Sequence, residues 1–241
     1  MSTEPISGEL SGAPAARVSF LVQPWLLVVI AVISVQLGSA LAKQLFDALG
    51  FGGVVFIRTL VGGVVFSVLA RPRLRGYSPK VYWHILAYGV TITANMLTFY
   101  AAIERIPLGI TVAIAFIGPL GVAVLGSRRA RDIIWVVLAA IGILLLSPIT
   151  DVTLDPFGLL MAVACGVMWG LYILITKRAG SLLEGNAMLA LSMSVAAIVA
   201  APFGAVSAAA VLSSPGLLVS ALIVALTSSV LPFWLEFKAL K

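Results

Sequence analysis

The sequence predicts an all-α, multi-pass membrane protein of about eight transmembrane helices, and three observations carry that expectation. Of 241 residues, 61% are hydrophobic and only 10% are charged, with a mean hydropathy of +1.16, far from the balance a soluble domain needs. The apolar residues are gathered into runs long enough to cross a hydrocarbon core of roughly 30 Å, which takes about 20 residues of helix. The strict polar–apolar alternation of a membrane β-barrel does not occur.

The runs follow one another in a regular order. The opening MSTEPISGELSGAPAARVSFLVQ carries two acids and one arginine ahead of the first apolar stretch. A cleaved signal starts basic, so residues 1–23 are expected to be a disordered cytoplasmic tail. Apolar spans are then expected at roughly 24–46, 51–70, 81–102, 108–126, 133–149, 157–176, 187–206 and 216–240. The gaps between them alternate in charge. RPRLRGYSPK holds four basic residues, GSRRARD three and KRAGSLLEGN two, whereas SPITDVTLDP carries Asp151 and Asp155 and AAAVLSSPG is uncharged. Basic loops stay in the cytoplasm, which puts those three gaps and both termini on the cytoplasmic side of the inner membrane. Of fifteen basic residues only Lys43, Arg58 and Arg105 fall elsewhere. The fourth span ends at Arg128, Arg129 and Arg131 because each would cost at least a few kcal/mol in hydrocarbon.

Several function classes are excluded by what the chain lacks. A net charge of +6 and a pI near 9.8 do not indicate nucleic acid, because the cations sit in topology loops without interleaved aromatics. Cys165 and His84 are each the only residue of their kind, so neither a disulfide nor a Cys- or His-based metal site is expected. No phosphate loop, HExxH motif or acid pair is present, so no cofactor, metal or enzymatic activity is expected.

Small-residue ladders predict where helices touch, since packing rather than hydrophobicity joins helices in lipid. Ser34, Gly38 and Ala42 form one, and Ala162, Gly166 and Gly170 another, so spans one and six are expected deep in the bundle. The two ladders also align with each other at a shift of 132 residues, and TITANMLTFYAAIE (91–104) aligns loosely with SSVLPFWLEFKALK (228–241) at a shift of 137. Spans one to three would then correspond to spans six to eight. An odd period of five helices inserts the second copy upside down, the inverted-repeat plan of many secondary transporters. On that plan the chain looks like a fragment or a shortened product, with residues 24–149 as a five-helix unit and residues 156–241 as a second unit of three helices.

At GSALAKQLF, FYAAIERIPLGITVAIAFIGPL, SRRARDIIWVVLAAIG, WGLYILITKRAG and LPFWLEFKAL the chain resembles the drug/metabolite transporter superfamily, EamA type, and within it the threonine/homoserine exporters. The resemblance implies a 5+5 inverted-repeat bundle, here lacking the last two helices, with a central polar cavity, alternating access and proton-coupled export of a small metabolite. Exporters of this type carry a glutamate in the fourth span where this sequence has Ala115, and a second in a ninth span. Coupling through those two carboxylates is therefore in question.

An ionic group inside a span is a functional candidate by default. Arg58, about seven residues from the expected end of span two and so roughly 10 Å deep, could hold a substrate carboxylate; the alternative is an ion pair with Asp47 or Glu104, or snorkelling. Lys43 is a second candidate nearer the outer face. Glu236, the carboxylate placed inside the last run, is the candidate for proton coupling. Neutral polar groups suited to a hydroxylated or zwitterionic solute are Gln36, Ser39, Thr91, Thr93, Asn95 and Thr98, with Ser39 and Asn95 preferred; serine and threonine in such helices also bond to backbone. Trp169 and Tyr172 share a helix with the second ladder and could wall the cavity. Pro119, after Gly118, frees the carbonyl of Ala115 and should bend span four inward, bringing Phe116 to the cavity; Pro232 should do the same in span eight. The expected function is export of a small amino-acid-like metabolite such as threonine or homoserine, with protons as the coupling ion and the lipid bilayer as surroundings. A homodimer, a non-transporting or partner-binding fragment, and a carrier for a drug, nucleotide sugar or lipid carrier are the alternatives.

Overall fold

The computed structural model describes residues 24–126, 155–179 and 185–239, together with the helical positions Ile134, Val137, Leu138, Ile141 and Gly142. The expected tail and, those five positions apart, the expected fifth span lie outside the described residues. Every regular element described is helical: α1 (Pro24–Lys43), α2 (Phe46–Ala70), α3 (Pro79–Arg105), α4 (Leu108–Ala115), α5 (Ile117–Gly126), α6 (Pro156–Ala179), α7 (Gly185–Ala208), a 3-10 turn (Ala209–Ser213), α8 (Pro215–Ala225), a π turn (Leu226–Val230) and α9 (Leu231–Ala239). Among the described residues six segments are long and apolar enough to cross a membrane: α2, α3, α4 with α5, α6, α7 with its 3-10 turn, and α8 through α9 as far as Leu235. In α1 the apolar stretch Val29–Lys43 is shorter.

Helix α2 starts at Phe46 rather than near residue 51, because Gly50 bends the helix instead of preceding it. Its φ of 64° and ψ of 162° are open to glycine at little cost. Arg58 therefore sits at the midpoint of a 25-residue helix, deeper than the sequence pattern placed it. Proline opens α3, α6 and α8, where its missing N–H leaves no bond unmade.

The centre of the bundle is the contact of α2 with α7, and glycines make it. A Cβ placed on Gly204 would collide with the backbone of Gly52, one on Gly52 with the carbonyl of Phe203, and one on Gly63 would lie 3.2 Å from the Ser194 nitrogen. Around that seam Leu49, Phe66, Ile92, Tyr100, Ile103, Leu189 and Met193 are fully buried. Helix α1 packs along α8, the π turn and α9, while α6 packs on α3, α4 and α5. Outward positions remain apolar, Leu125 at 87% and Val206 at 92% exposure among them, as lipid contact requires.

Arg105, the last residue of α3, donates to Asp155 Oδ2 at 3.0 Å, just ahead of α6. The Phe157 N–H donates to Asp155 Oδ1 at 2.8 Å, so Asp155 caps α6. The Arg105 hydrogen bond first, and the Phe157 N–H second, hold this exposed carboxyl below its ordinary 3.8. A carboxylate with a depressed folded-state pKa stabilises the fold above its unfolded value and loses that contribution as pH falls through the folded one. Asp155→Asn is thus expected to lower the unfolding temperature in detergent at pH 7, with the difference from wild type shrinking as pH drops below 3.8. At the seam, Gly204→Val is expected to destabilise the protein by at least ~3 kcal/mol, read as loss of a monodisperse peak in detergent at growth temperature.

Candidate functional site

The last span is broken in a way that exposes two backbone carbonyls. In the π turn the Leu231 N–H donates to the carbonyl of Leu226, five residues back, so the Thr227 carbonyl loses its usual partner. Pro232 has no N–H to give the Ser228 carbonyl, four residues back. Both orphans are met from other helices. Ser34 Oγ on α1 donates to the Thr227 carbonyl, and Arg58 Nη2 on α2 donates to the Ser228 carbonyl. The small-residue ladder of α1 brings the helices that close: a Cβ on Gly38 would lie 2.6 Å from Ser228 Cβ.

Arg58 is 5% exposed. Its Nε donates to Ser229 Oγ at 3.1 Å, its Nη1 donates to Tyr100 Oη, and its guanidinium carbon lies 5.2 Å from the Tyr100 ring centre. Tyr100 is itself fixed edge-on by Phe46 at 5.4 Å. The partners are neutral oxygens from α3 and the broken last span, not the carboxylates of Asp47 or Glu104, which are exposed. A guanidinium carries five N–H donors. Three are engaged, leaving one N–H on each terminal nitrogen without a protein acceptor among the described residues.

Arg58 borders a cavity of about 260 Å³. Its α1 side is Val32, Val35, Gln36 and Ser39; α3 supplies Ile92, Asn95, Met96 and Phe99; α6 supplies Cys165, Trp169 and Tyr172. Val112 and Phe116 close one side, and Ser228, Pro232 and Phe233 another. Aromatic rings dominate the α6 wall. Phe116 meets Trp169 at 5.1 Å, and Tyr172 stacks on Tyr88 at 5.3 Å. Among the described residues no carboxylate lines the cavity, and no His, Cys, Asp and Glu cluster that could hold a metal ion is found.

The structure brings together Gln36, Ser39, Arg58, Asn95, Phe116, Trp169, Tyr172 and Pro232 from six helical segments. Lys43 is exposed at the end of α1, and Thr98 lies off the cavity wall, its Oγ1 donating to the Ala94 carbonyl at 2.7 Å. Thr91 and Thr93 likewise donate to backbone carbonyls, Thr93 also tying α3 to the Ala196 carbonyl of α7 at 3.1 Å. Asn95 uses its amide to hold α6, donating to the Cys165 carbonyl at 3.0 Å. The side chain of Glu236 lies outside the described residues.

Near Pro119 the chain turns at Phe116, between α4 and α5. The Ala115 carbonyl freed by the proline does not reach the cavity; it packs on the α6 ladder, where a Cβ on Gly166 would lie 2.9 Å from it. Phe116 is what the bend delivers to the wall. Sequence reasoning did not single out Tyr100, Ser228 or Ser229, though counting four residues back from Pro232 would have marked Ser228. If the neutral oxygens hold the guanidinium, Tyr100→Phe leaves a buried charged donor unmet and should cost about 1–3 kcal/mol in denaturant unfolding. Tyr82→Phe, which removes an exposed hydroxyl bonded to the Leu74 carbonyl, should cost no more than about 0.5 kcal/mol.

Comparisons with known proteins agree with this architecture. Residues 156–241 match the EamA-like transporter family. The threonine/homoserine exporter RhtA of Salmonella typhimurium strain LT2 is 38% identical over 219 residues, covering 90% of this chain and 74% of the relative. RhtA of Escherichia coli K12 is 36% identical over the same lengths. An uncharacterized transporter of Bacillus subtilis strain 168, YvbV, is 27% identical over 153 residues, 59% of this chain and 50% of its own. A crystal structure with 19% identity superposes with a TM-score of 0.60 over 88% of this chain and 78% of that one, which supports the fold. By its identity to the exporters over nine-tenths of its length, the chain belongs to the EamA-like transporter family.

Proposed function

We propose that this chain is a secondary transporter of the inner membrane that exports a small amino-acid-like metabolite, threonine or homoserine in the first instance, by alternating access. The observation that carries the reading is Arg58: a buried cation on a cavity of about 260 Å³ with no carboxylate on its described wall. An uncompensated charge in a low-dielectric site favours a ligand that brings the opposite charge. Two unengaged N–H groups suit the two oxygens of a carboxylate. The apolar remainder of the wall suits a short side chain.

The proposed scaffold is a 5+5 inverted repeat. Residues 24–149 are its first unit and residues 156–241 represent the second by three spans, the basic loops and both termini facing the cytoplasm. Exchanging spans one, two and three with six, seven and eight maps the α2–α7 contact onto itself and the α1 contact with α8 and α9 onto that of α6 with α3. Those are major contacts between described spans, which supports the repeat. Glu236 is the proposed proton-coupling group, since the described wall supplies no acid.

Export of radiolabelled threonine or homoserine from overexpressing cells tests the proposal. Wild type should exceed an empty vector, and Arg58→Ala should reduce the rate by about 10- to 100-fold with equal protein in the membrane. No difference between wild type and vector rejects transport by this chain; export untouched by Arg58→Ala rejects the carboxylate role.

A further inference from the structure

One fully buried hydroxyl on the cavity wall has no bond of its own. Ser39 is 1% exposed, borders the cavity, and its Oγ has no hydrogen-bond partner. In apolar helices a hydroxyl ordinarily donates to the carbonyl three or four residues back, and Thr59, Thr98, Thr111, Ser194 and Thr227 all do so here. Ser39 does not, nor does Ser192 away from the cavity, and Ser39 stands next to Gly38, whose contact with Ser228 brings α1 to the carbonyl that Arg58 grips. A buried hydroxyl left unmet is costly, and a ligand hydroxyl answers it, acting as acceptor and donor at once. The α1 wall beside Ser39 is otherwise Val32, Val35 and Gln36, which leaves room for a short side chain carrying one polar atom.

We propose that Ser39 is a specificity-determining residue that reads the side-chain hydroxyl of a small α-amino acid whose carboxylate lies on Arg58. This rests on the reading of Arg58 given above. Trp169, Phe116 and Tyr172 line the same cavity, and aromatic rings can attract the ligand's ammonium without a counter-charge. A site that hydrogen-bonds a hydroxyl rejects the analogue lacking it, because its own polar group is then left alone.

The test is equilibrium binding of radiolabelled L-threonine to the purified full chain in detergent, competed by unlabelled L-threonine or L-2-aminobutyrate, which has the same carbon skeleton without the hydroxyl. Wild type should prefer threonine by about 10-fold or more. In Ser39→Ala threonine should weaken toward the 2-aminobutyrate value and the preference fall to within about twofold. Ser39→Cys, which keeps the volume but carries a weak donor, should give the same collapse and serves if the alanine variant does not fold. A preference unchanged in these variants, a parallel weakening of both ligands, or a wild type that does not discriminate overturns the proposal. Failure of the Arg58 reading has a different signature: Arg58→Ala would leave binding of both ligands unaltered.

Discussion

Everything in the cavity depends on how one guanidinium is held among apolar helices. A cation there must have its N–H groups answered, and the chain answers three of the five on Arg58 with neutral oxygens: a phenol on α3, a serine hydroxyl and a backbone carbonyl. That carbonyl is free only because Pro232 cannot donate to it, and its neighbour at Thr227 is free because the π turn shifts the Leu231 N–H to Leu226. The break in the last span is thus a source of acceptors. Ser34 and Arg58 use them from two different helices, so the same irregularity that would be ruinous facing lipid joins α1, α2 and the last span around the pocket.

Close backbone contact makes this geometry accurate. Gly52 and Gly204 bring α2 onto α7 with no side chain between them, and the Gly166 position lets the bent span of α4 and α5 lie on α6. With lipid outside, such contacts supply dispersion attraction that hydrophobicity alone does not give two membrane helices. Arg58 at the midpoint of α2 is thereby fixed relative to Asn95, Trp169 and Tyr172 on the helices opposite.

Much of this was legible in the residues, for reasons that differ from one to the next. The cost of an ion in hydrocarbon marks Arg58 without any knowledge of its neighbours, and proline chemistry marks the bends near residues 119 and 232. Small-residue spacing marks the α1 and α6 contacts but not their depth, since α2 and α7 hold the centre and Leu37 on α1 and Leu160 on α6 are exposed. What could not be read was rotation: which face of α3 meets α2 is set by packing, so Tyr100 was indistinguishable from any aromatic in an apolar run, and Thr98 from a residue aimed at the cavity. Phe99, Cys165 and Phe233 line the wall as ordinary apolar residues and carry no sequence signal. The start of α2 was misplaced because Gly50 reads as a boundary in one dimension and acts as a bend in three.

The proposed carboxylate site turns on the charge that Arg58 is left to accept. Binding of L-threonine and of L-threonine methyl ester to the purified chain tests that charge, since the ester keeps the side chain and replaces the anionic oxygen with a neutral methoxy group. If Arg58 holds the carboxylate, the ester binds about 10- to 100-fold more weakly. Equal affinity for the two would contradict it.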